Sequence, residues 1–195
     1  MYNKLATLIV NRYVKKTIIK KSDFEIYVYC FEKLISQIVS YLCMFIVAII
    51  FNMLIHTIVF YIGFMLFRKI SGGYHARTVL LCNIFTTFNL ILAIITIRLL
   101  NQSLWNGVCM SIAIISLICS IFIAPIDNEN KRFSEDEYKH YSKLSKILSI
   151  STTIIILFLC FVLPNNIYVL SFCIGIISAN ISLILAFLER RLKHV

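Results

Sequence analysis

Charged residues are scarce in this sequence. Asp, Glu, Lys and Arg make up 14% of its 195 residues, whereas 60% are hydrophobic. Soluble globular domains carry about 25% charged residues, because they need a polar surface in water. Residues that break helices are also few, with five glycines and two prolines. These shortages exclude an ordinary soluble domain and leave long stretches in which nothing interrupts an apolar helix.

Four stretches contain no Asp, Glu, Lys or Arg, and they cover residues 34–67, 78–97, 99–126 and 147–188. A helix needs about 20 apolar residues to cross roughly 30 Å of hydrocarbon, so the second and third stretches each fit one crossing. The fourth contains the turn signal Pro164-Asn165-Asn166 and predicts two helices. The first would be about 50 Å long as one helix. We therefore predict that it forms a hairpin turning near Asn52.

These stretches predict an all-α polytopic membrane protein with about six transmembrane helices. Before them, apolar and basic residues fall on opposite faces of an N-terminal helix, which is the pattern of a helix lying in the membrane interface. A solvated basic lead-in is the alternative. We expect a single integral membrane domain with basic interfacial helices at 1–33, a helical hairpin at 34–67, a loop at 68–78, two transmembrane helices at 79–124, a second loop at 125–146, two further transmembrane helices at 147–188 and a basic tail at 189–195.

Basic residues cluster at the ends of these predicted helices. Lys and Arg number 19 against nine Asp and Glu, which gives a net charge of +10. They fall before residue 34, in 68–77, in 131–146 and in 190–193, with Arg98 alone between two crossings. Six crossings place the four clusters on one side, and the positive-inside rule assigns that side and both termini to the cytoplasm. We expect contact with the lipid bilayer and no nucleic-acid partner.

Seven cysteines are scattered through the apolar stretches, and an odd number does not predict a disulfide framework. Because the sequence has no CxxC pair, we expect no metal site, and we expect no cofactor. Six of the seven are best explained as small hydrophobic residues in helix cores. Cys82 differs from them, because His75 precedes it by seven positions at the predicted membrane boundary.

The sequence around Cys82 suggests an activated thiol. Gly72 and Gly73 break the helix where the chain leaves the membrane, so Cys82 falls near the start of the next helix. A helix N-terminus and the nearby Arg77 both lower a thiol pKa from about 8.5 toward neutrality, and His75 can accept the proton. In one continuous helix the two residues would lie about 10.5 Å apart along the axis. The pair therefore requires a loop that folds back, or a second chain. The alternative is an unrelated histidine and a core cysteine.

Two segments resemble a known family. Residues 68–76, Arg-Lys-Ile-Ser-Gly-Gly-Tyr-His-Ala, followed by Cys82, resemble the signature of the AgrB (accessory gene regulator B) peptidases. Residues 124–132 resemble that family's loop of proline, acid, asparagine and basic residue, although Arg132 stands where many relatives have proline. With the chain length and the basic N-terminus, the resemblance spans nearly the whole chain.

The resemblance implies a cysteine endopeptidase of quorum sensing in the bacterial cell membrane. Such enzymes remove the C-terminal tail of an AgrD propeptide and help to close a thiolactone or lactone ring. It implies that Cys82 is the nucleophile and His75 the base, while Arg68 and Gly73 match positions needed for activity. We expect Arg68 to hold the acidic C-terminal region of the propeptide and Gly73 to permit the fold of the loop. The resemblance also implies a homodimer.

Two other functions remain as alternatives. A small polytopic transporter or channel would show charges along a path through the membrane, and these stretches have almost none. A non-enzymatic membrane assembly subunit would need no pair of His75 and Cys82. Intramembrane serine and aspartyl proteases are excluded, because the sequence has no Gly-x-Ser-x-Gly motif and no acidic residue in a predicted crossing.

Overall fold

The computed structural model describes residues 2–74, 79–127 and 133–193, leaving out the side chains of residues 79, 80, 82 and 193. Within these ranges the chain is helical apart from short connections, which confirms the predicted all-α class. The helices are α1 (Tyr2–Lys15), α2 (Phe24–Ile50), α3 (Leu54–Ser71), α4 (Val79–Leu99), α5 (Trp105–Phe122), α6 (Glu135–Val162) and α7 (Ile167–Lys193).

The described helices have the length and surface of membrane-spanning segments. Five are long and apolar enough to cross a bilayer: Lys21–Ile50, Leu54–Ser71, Gln102–Phe122, Glu135–Val162 and Ile167–Leu192. The remaining predicted crossing corresponds to α4, where a shorter apolar helix covers Asn83–Leu99. Large apolar side chains such as Ile50, Leu99 and Phe161 are 71%, 80% and 86% exposed. An apolar surface of this extent requires lipid around it. The chain is therefore a polytopic membrane protein, as predicted.

The predicted break near Asn52 is confirmed. Helix α2 ends at Ile50 and α3 begins at Leu54, and Asn52 between them has a φ of 51°. Asparagine enters the left-handed region more readily than other residues with a side chain, so this turn forms without glycine or proline. Asn165, with a φ of 54°, serves the turn between α6 and α7 in the same way.

The described chain is divided into two compact units, and the first comprises Met1–Ile50 with Ala76–Phe88. Its core forms where α1 packs on α2 and buries Ala6 and Val10 against Ile19 and Val28. Leu5, on the same predicted apolar face, stays 45% exposed. Part of that face is therefore used for packing on α2, while the interfacial position of α1 stays a prediction.

The second unit comprises Phe51–His75 with Asn89–Val195, and α7 is its central helix. The backbones of α3 and α7 lie so close that a Cβ on Gly63 or Gly175 would overlap a main-chain oxygen of the other helix. Such close approach at small residues gives strong dispersion contacts between membrane helices. Helix α7 therefore packs tightly on the middle of α3, the helix whose C-terminal end leads into the candidate site. That the units form a single membrane domain stays a prediction.

Candidate active-site region

The chain after α3 has a backbone conformation that requires glycine. Helix α3 ends at Ser71, and Gly72 and Gly73 have φ values of 80° and 146°. These values are unfavourable for residues with a Cβ. A Cβ on Gly72 would overlap the carbonyl oxygen of Ile126, and one on Gly73 would overlap the guanidinium group of Arg68. The predicted helix break at these glycines is confirmed, and lack of space adds a second reason for them.

The described parts of the two segments that carry the family resemblance meet at Gly72 and Ile126. The Ile126 N–H donates to the Ser71 carbonyl oxygen at 3.0 Å, and Gly72 and Ile126 form an isolated parallel β-bridge. The Ser71 hydroxyl lies 2.9 Å from the Ser145 hydroxyl of α6, and both residues are buried. The start of the loop is therefore fixed to the α5–α6 connection and to α6.

Arg68 connects this loop to α7. Its Nη1 donates to the Ser182 hydroxyl and its Nη2 donates to the Tyr74 carbonyl oxygen. The Tyr74 N–H in turn donates to the Ser182 carbonyl oxygen at 2.9 Å. Tyr74 directly precedes His75, so these hydrogen bonds hold the chain up to the residue predicted as the base. Substrate binding by Arg68 stays a prediction, whereas its contacts within the chain are observed.

The predicted catalytic pair lies partly outside the described structure. His75 and Arg77 fall outside the described residues, and the side chain of Cys82 does too. The backbone of Cys82 belongs to the first turn of α4, which begins at Val79. This agrees with the predicted position near a helix N-terminus. The contact between His75 and Cys82 stays a prediction, as does the effect of Arg77 on the thiol.

Comparison with known proteins identifies the family. Residues 3–186 match the family described as Accessory gene regulator B. The chain belongs to this family. It is 27% identical over 160 residues to accessory gene regulator protein B of Staphylococcus haemolyticus (strain JCSC1435), which covers 82% of this chain and 81% of the relative. It is 25% identical over 150 residues to an AgrB-like protein of Clostridium perfringens (strain SM101 / Type A), with 73% and 69% covered.

No solved structure gives a significant match to the chain. The family match confirms the resemblance drawn from residues 68–76 and 124–132, since it contains both segments. It places this AgrB-family chain among the membrane proteins of the accessory gene regulator system, and hence of quorum sensing.

Three residues that hold the loop after α3 were not predicted from the sequence: Ser145, Ser182 and Ile126. Ser182 and Ser145 lie in predicted helices with many other serines, and neither stands in a recognisable motif. Ile126 is one isoleucine among many, although it lies inside the second segment that resembles the family. A serine in an apolar helix is a weak signal, because its hydroxyl can also bond a carbonyl oxygen of its own helix.

Proposed function

We propose that this chain is a cysteine endopeptidase that removes the C-terminal tail of an AgrD-like propeptide and promotes cyclisation of the remaining peptide. Family membership over nearly the whole chain supports the proposal. The observation that carries it is the Arg68–Tyr74–Ser182 network, which fixes the chain immediately before His75. A base that works on a single thiol needs a fixed starting point of this kind.

In the proposed reaction, His75 takes the proton of the Cys82 thiol and the thiolate attacks the scissile carbonyl carbon. The peptide bond breaks, the new amino terminus of the tail receives the proton from His75, and the peptide stays on Cys82 as a thioester. A Cys or Ser side chain of the bound peptide then attacks this thioester and regenerates the Cys82 thiol. When the attacking residue is Cys, one thioester replaces another, so the step is nearly isoenergetic apart from ring strain.

Water is the competing nucleophile in the second step. Hydrolysis of the thioester would release a linear peptide and lose the activation gained in the first step. A site at the membrane boundary that excludes water favours ring closure. The family resemblance leaves both thiolactone and lactone products open, since the attacking residue belongs to the propeptide.

Arg68 acts in this proposal as a positioning residue. Its guanidinium group donates to Ser182 and to the Tyr74 carbonyl, so its charge and geometry serve the loop that leads to His75. A planar guanidinium can bind two acceptors at fixed angles, which a lysine ammonium cannot do as rigidly. This role replaces direct binding of the acidic propeptide region as the main function we assign to Arg68.

The proposed location is the bacterial cell membrane, with both termini on the cytoplasmic side. The basic clusters at 1–33, 68–77, 131–146 and 190–193 support this orientation through the positive-inside rule. We also propose a homodimer, following the family resemblance, and a second protomer is one way for a histidine to reach Cys82. Reporter fusions at the two termini and chemical cross-linking in membranes test these two points.

The peptidase activity is tested by coexpression with an AgrD-like propeptide. We expect Cys82→Ala to abolish removal of the tail, whereas Cys30→Ala, at an exposed position of α2, leaves it intact. Intact mass spectrometry of the working protein should detect the peptide as a thioester on Cys82. That adduct separates a peptidase from a transporter or an assembly subunit. Normal tail removal by the Cys82→Ala variant would contradict the proposal.

A further inference from the structure

A cavity of about 420 Å³ opens beside the Gly72–Ile126 bridge, between the ends of α5 and α7 and the start of α6. Its apolar lining includes Phe122, Ile126 and Phe187, and its polar lining includes Tyr138, Arg190 and Arg191. The volume falls in the range of roughly 300–1,000 Å³ that is typical of ligand sites. The residues to which the proposed function assigns roles do not line this cavity, so its own function is open.

The two arginines that line the cavity differ in their surroundings. Arg190 forms an ion pair with Asp127, with 2.6 Å between Nη1 and Oδ1, so its charge is already compensated. The guanidinium group of Arg191 lies 4.9 Å from the centre of the Phe187 ring, in a cation–π contact, and the residue is exposed. The cavity therefore presents a basic group held over an apolar wall. This arrangement suits a ligand in which a carboxylate adjoins an apolar side chain.

Ile126 connects the cavity to the proposed catalytic loop. Ile126 is one of the residues that line the cavity. Its backbone N–H donates to the Ser71 carbonyl oxygen, and it pairs with Gly72, three positions before His75 in the sequence. A hydrogen bond and a β-bridge therefore connect the cavity wall at Ile126 to the start of the loop at Ser71 and Gly72. The cavity is thus joined to the last described residues before His75.

The depth of the cavity favours a peptide over a phospholipid. Tyr138 lies nine positions before Ile147, where the charge-free part of α6 begins, and nine residues of helix span about 13 Å. The part of the cavity wall formed by Tyr138 therefore lies outside the hydrocarbon layer. Phe122, on another side of the cavity, is the last residue of the apolar helix α5. An extended peptide carries polar groups and apolar side chains side by side, as this lining requires.

We propose that this cavity is a substrate subsite for an acidic segment of the propeptide. A carboxylate of that segment pairs with Arg191, and a neighbouring apolar side chain packs between Phe122 and Phe187. The inference rests on the proposed peptidase function and deepens it, because it assigns residues that select the substrate.

Photo-cross-linking in a Cys82→Ala background tests the subsite without any cleavage. The photoreactive residue p-benzoylphenylalanine replaces Phe122, which is 78% exposed, or, as a matched control, Phe161 at the far end of α6, which is 86% exposed. The protein is purified into nanodiscs of phosphatidylglycerol and phosphatidylcholine. The probes are a synthetic AgrD-like propeptide that the parent protein cleaves and a version with Asn and Gln in place of Asp and Glu.

We expect a peptide adduct at position 122 and none at 161. The neutral peptide, or the Arg191→Glu variant, should lower the adduct yield about tenfold, because each removes the proposed charge pair. Arg191→Lys should retain it, and Arg191→Glu should regain it with a propeptide that carries Lys at its acidic positions. Gel filtration checks that the Arg191→Glu variant is folded as well as the Arg191→Lys variant, so that a lost adduct reports the charge and not misfolding.

Three results would overturn the subsite: a phospholipid adduct at position 122 in place of the peptide, a peptide adduct that Arg191→Glu leaves unchanged, or no adduct there while the parent protein cleaves the propeptide. A different result would refute the peptidase function alone. That result is a charge-dependent peptide adduct at position 122 combined with no tail removal by the protein that retains Cys82.

Discussion

Replacing Gly72 with alanine should disable the candidate site while leaving the helices folded. Gly72 has φ 80° and ψ −156°, a region open essentially to glycine alone, where a residue with a Cβ loses on the order of 1–3 kcal/mol. The added Cβ would also overlap the Ile126 carbonyl oxygen. Opening the bridge to relieve this overlap breaks the hydrogen bond from Ile126 to Ser71, which is worth about 1 kcal/mol.

The two contributions together amount to roughly 2–4 kcal/mol. Because each 1.36 kcal/mol is a factor of ten, the paired geometry of the loop should become about 30- to 900-fold less populated. We therefore expect kcat/KM for tail removal by the Gly72→Ala variant to fall at least about 30-fold. Initial rates in nanodiscs measure this fall, and hydrogen exchange at the Ile126 amide reports the opening of the bridge.

Gly107→Ala is the matched control for this substitution. Gly107 lies in α5, and a Cβ added there meets nothing within 4 Å. Alanine should stabilise that helix by up to about 1 kcal/mol and leave the cleavage rate unchanged. The reasoning is refuted if Gly72→Ala cleaves at the parent rate while the Ile126 amide stays protected.

Three further substitutions test other parts of the structure. Ser182→Ala removes an acceptor of Arg68 and should lower kcat about tenfold with little change in KM, whereas Ser151→Ala, on an exposed face of α6, should change neither in the same cleavage assay. Gly175→Leu places a side chain where α7 meets α3 and should destabilise the second unit by several kcal/mol, visible as a lower melting temperature in detergent. Ala6→Asp buries a charge where α1 is fully covered and should detach α1 from α2, so that limited proteolysis cuts there faster.

The elements of this fold could be predicted because each depends on local chemistry. The break at Asn52 follows from a charge-free stretch too long for one crossing, and the turn at Asn165 follows from its proline and asparagine neighbours. The break at Gly72 and Gly73 follows from two residues that accept positive φ. In each case the decisive information lies within one continuous stretch of the sequence, whether two neighbouring residues or the length of an apolar run.

The contacts between helices could not be predicted in the same way. In a soluble protein the apolar face of a helix shows which side packs inward, but these helices are apolar on every side because lipid surrounds them. The pairing of Gly72 with Ile126 and the bond from Arg68 to Ser182 join residues far apart in sequence, 114 positions in the second case. The family resemblance selected residues 68–76 and 124–132 without showing that they touch.

Arg68 is a residue whose contacts are visible only in the structure. The resemblance to the AgrB family led us to expect that Arg68 holds the acidic C-terminal region of the propeptide. The guanidinium donates to the Ser182 hydroxyl and to the Tyr74 carbonyl at a part-buried position, while substrate binding by Arg68 stays a prediction. A polar group without a partner is costly in such surroundings, so Arg68 stabilises the loop by satisfying both acceptors. The charge available to a substrate is then better sought at Arg191, whose guanidinium lies over an aromatic ring at the edge of a cavity.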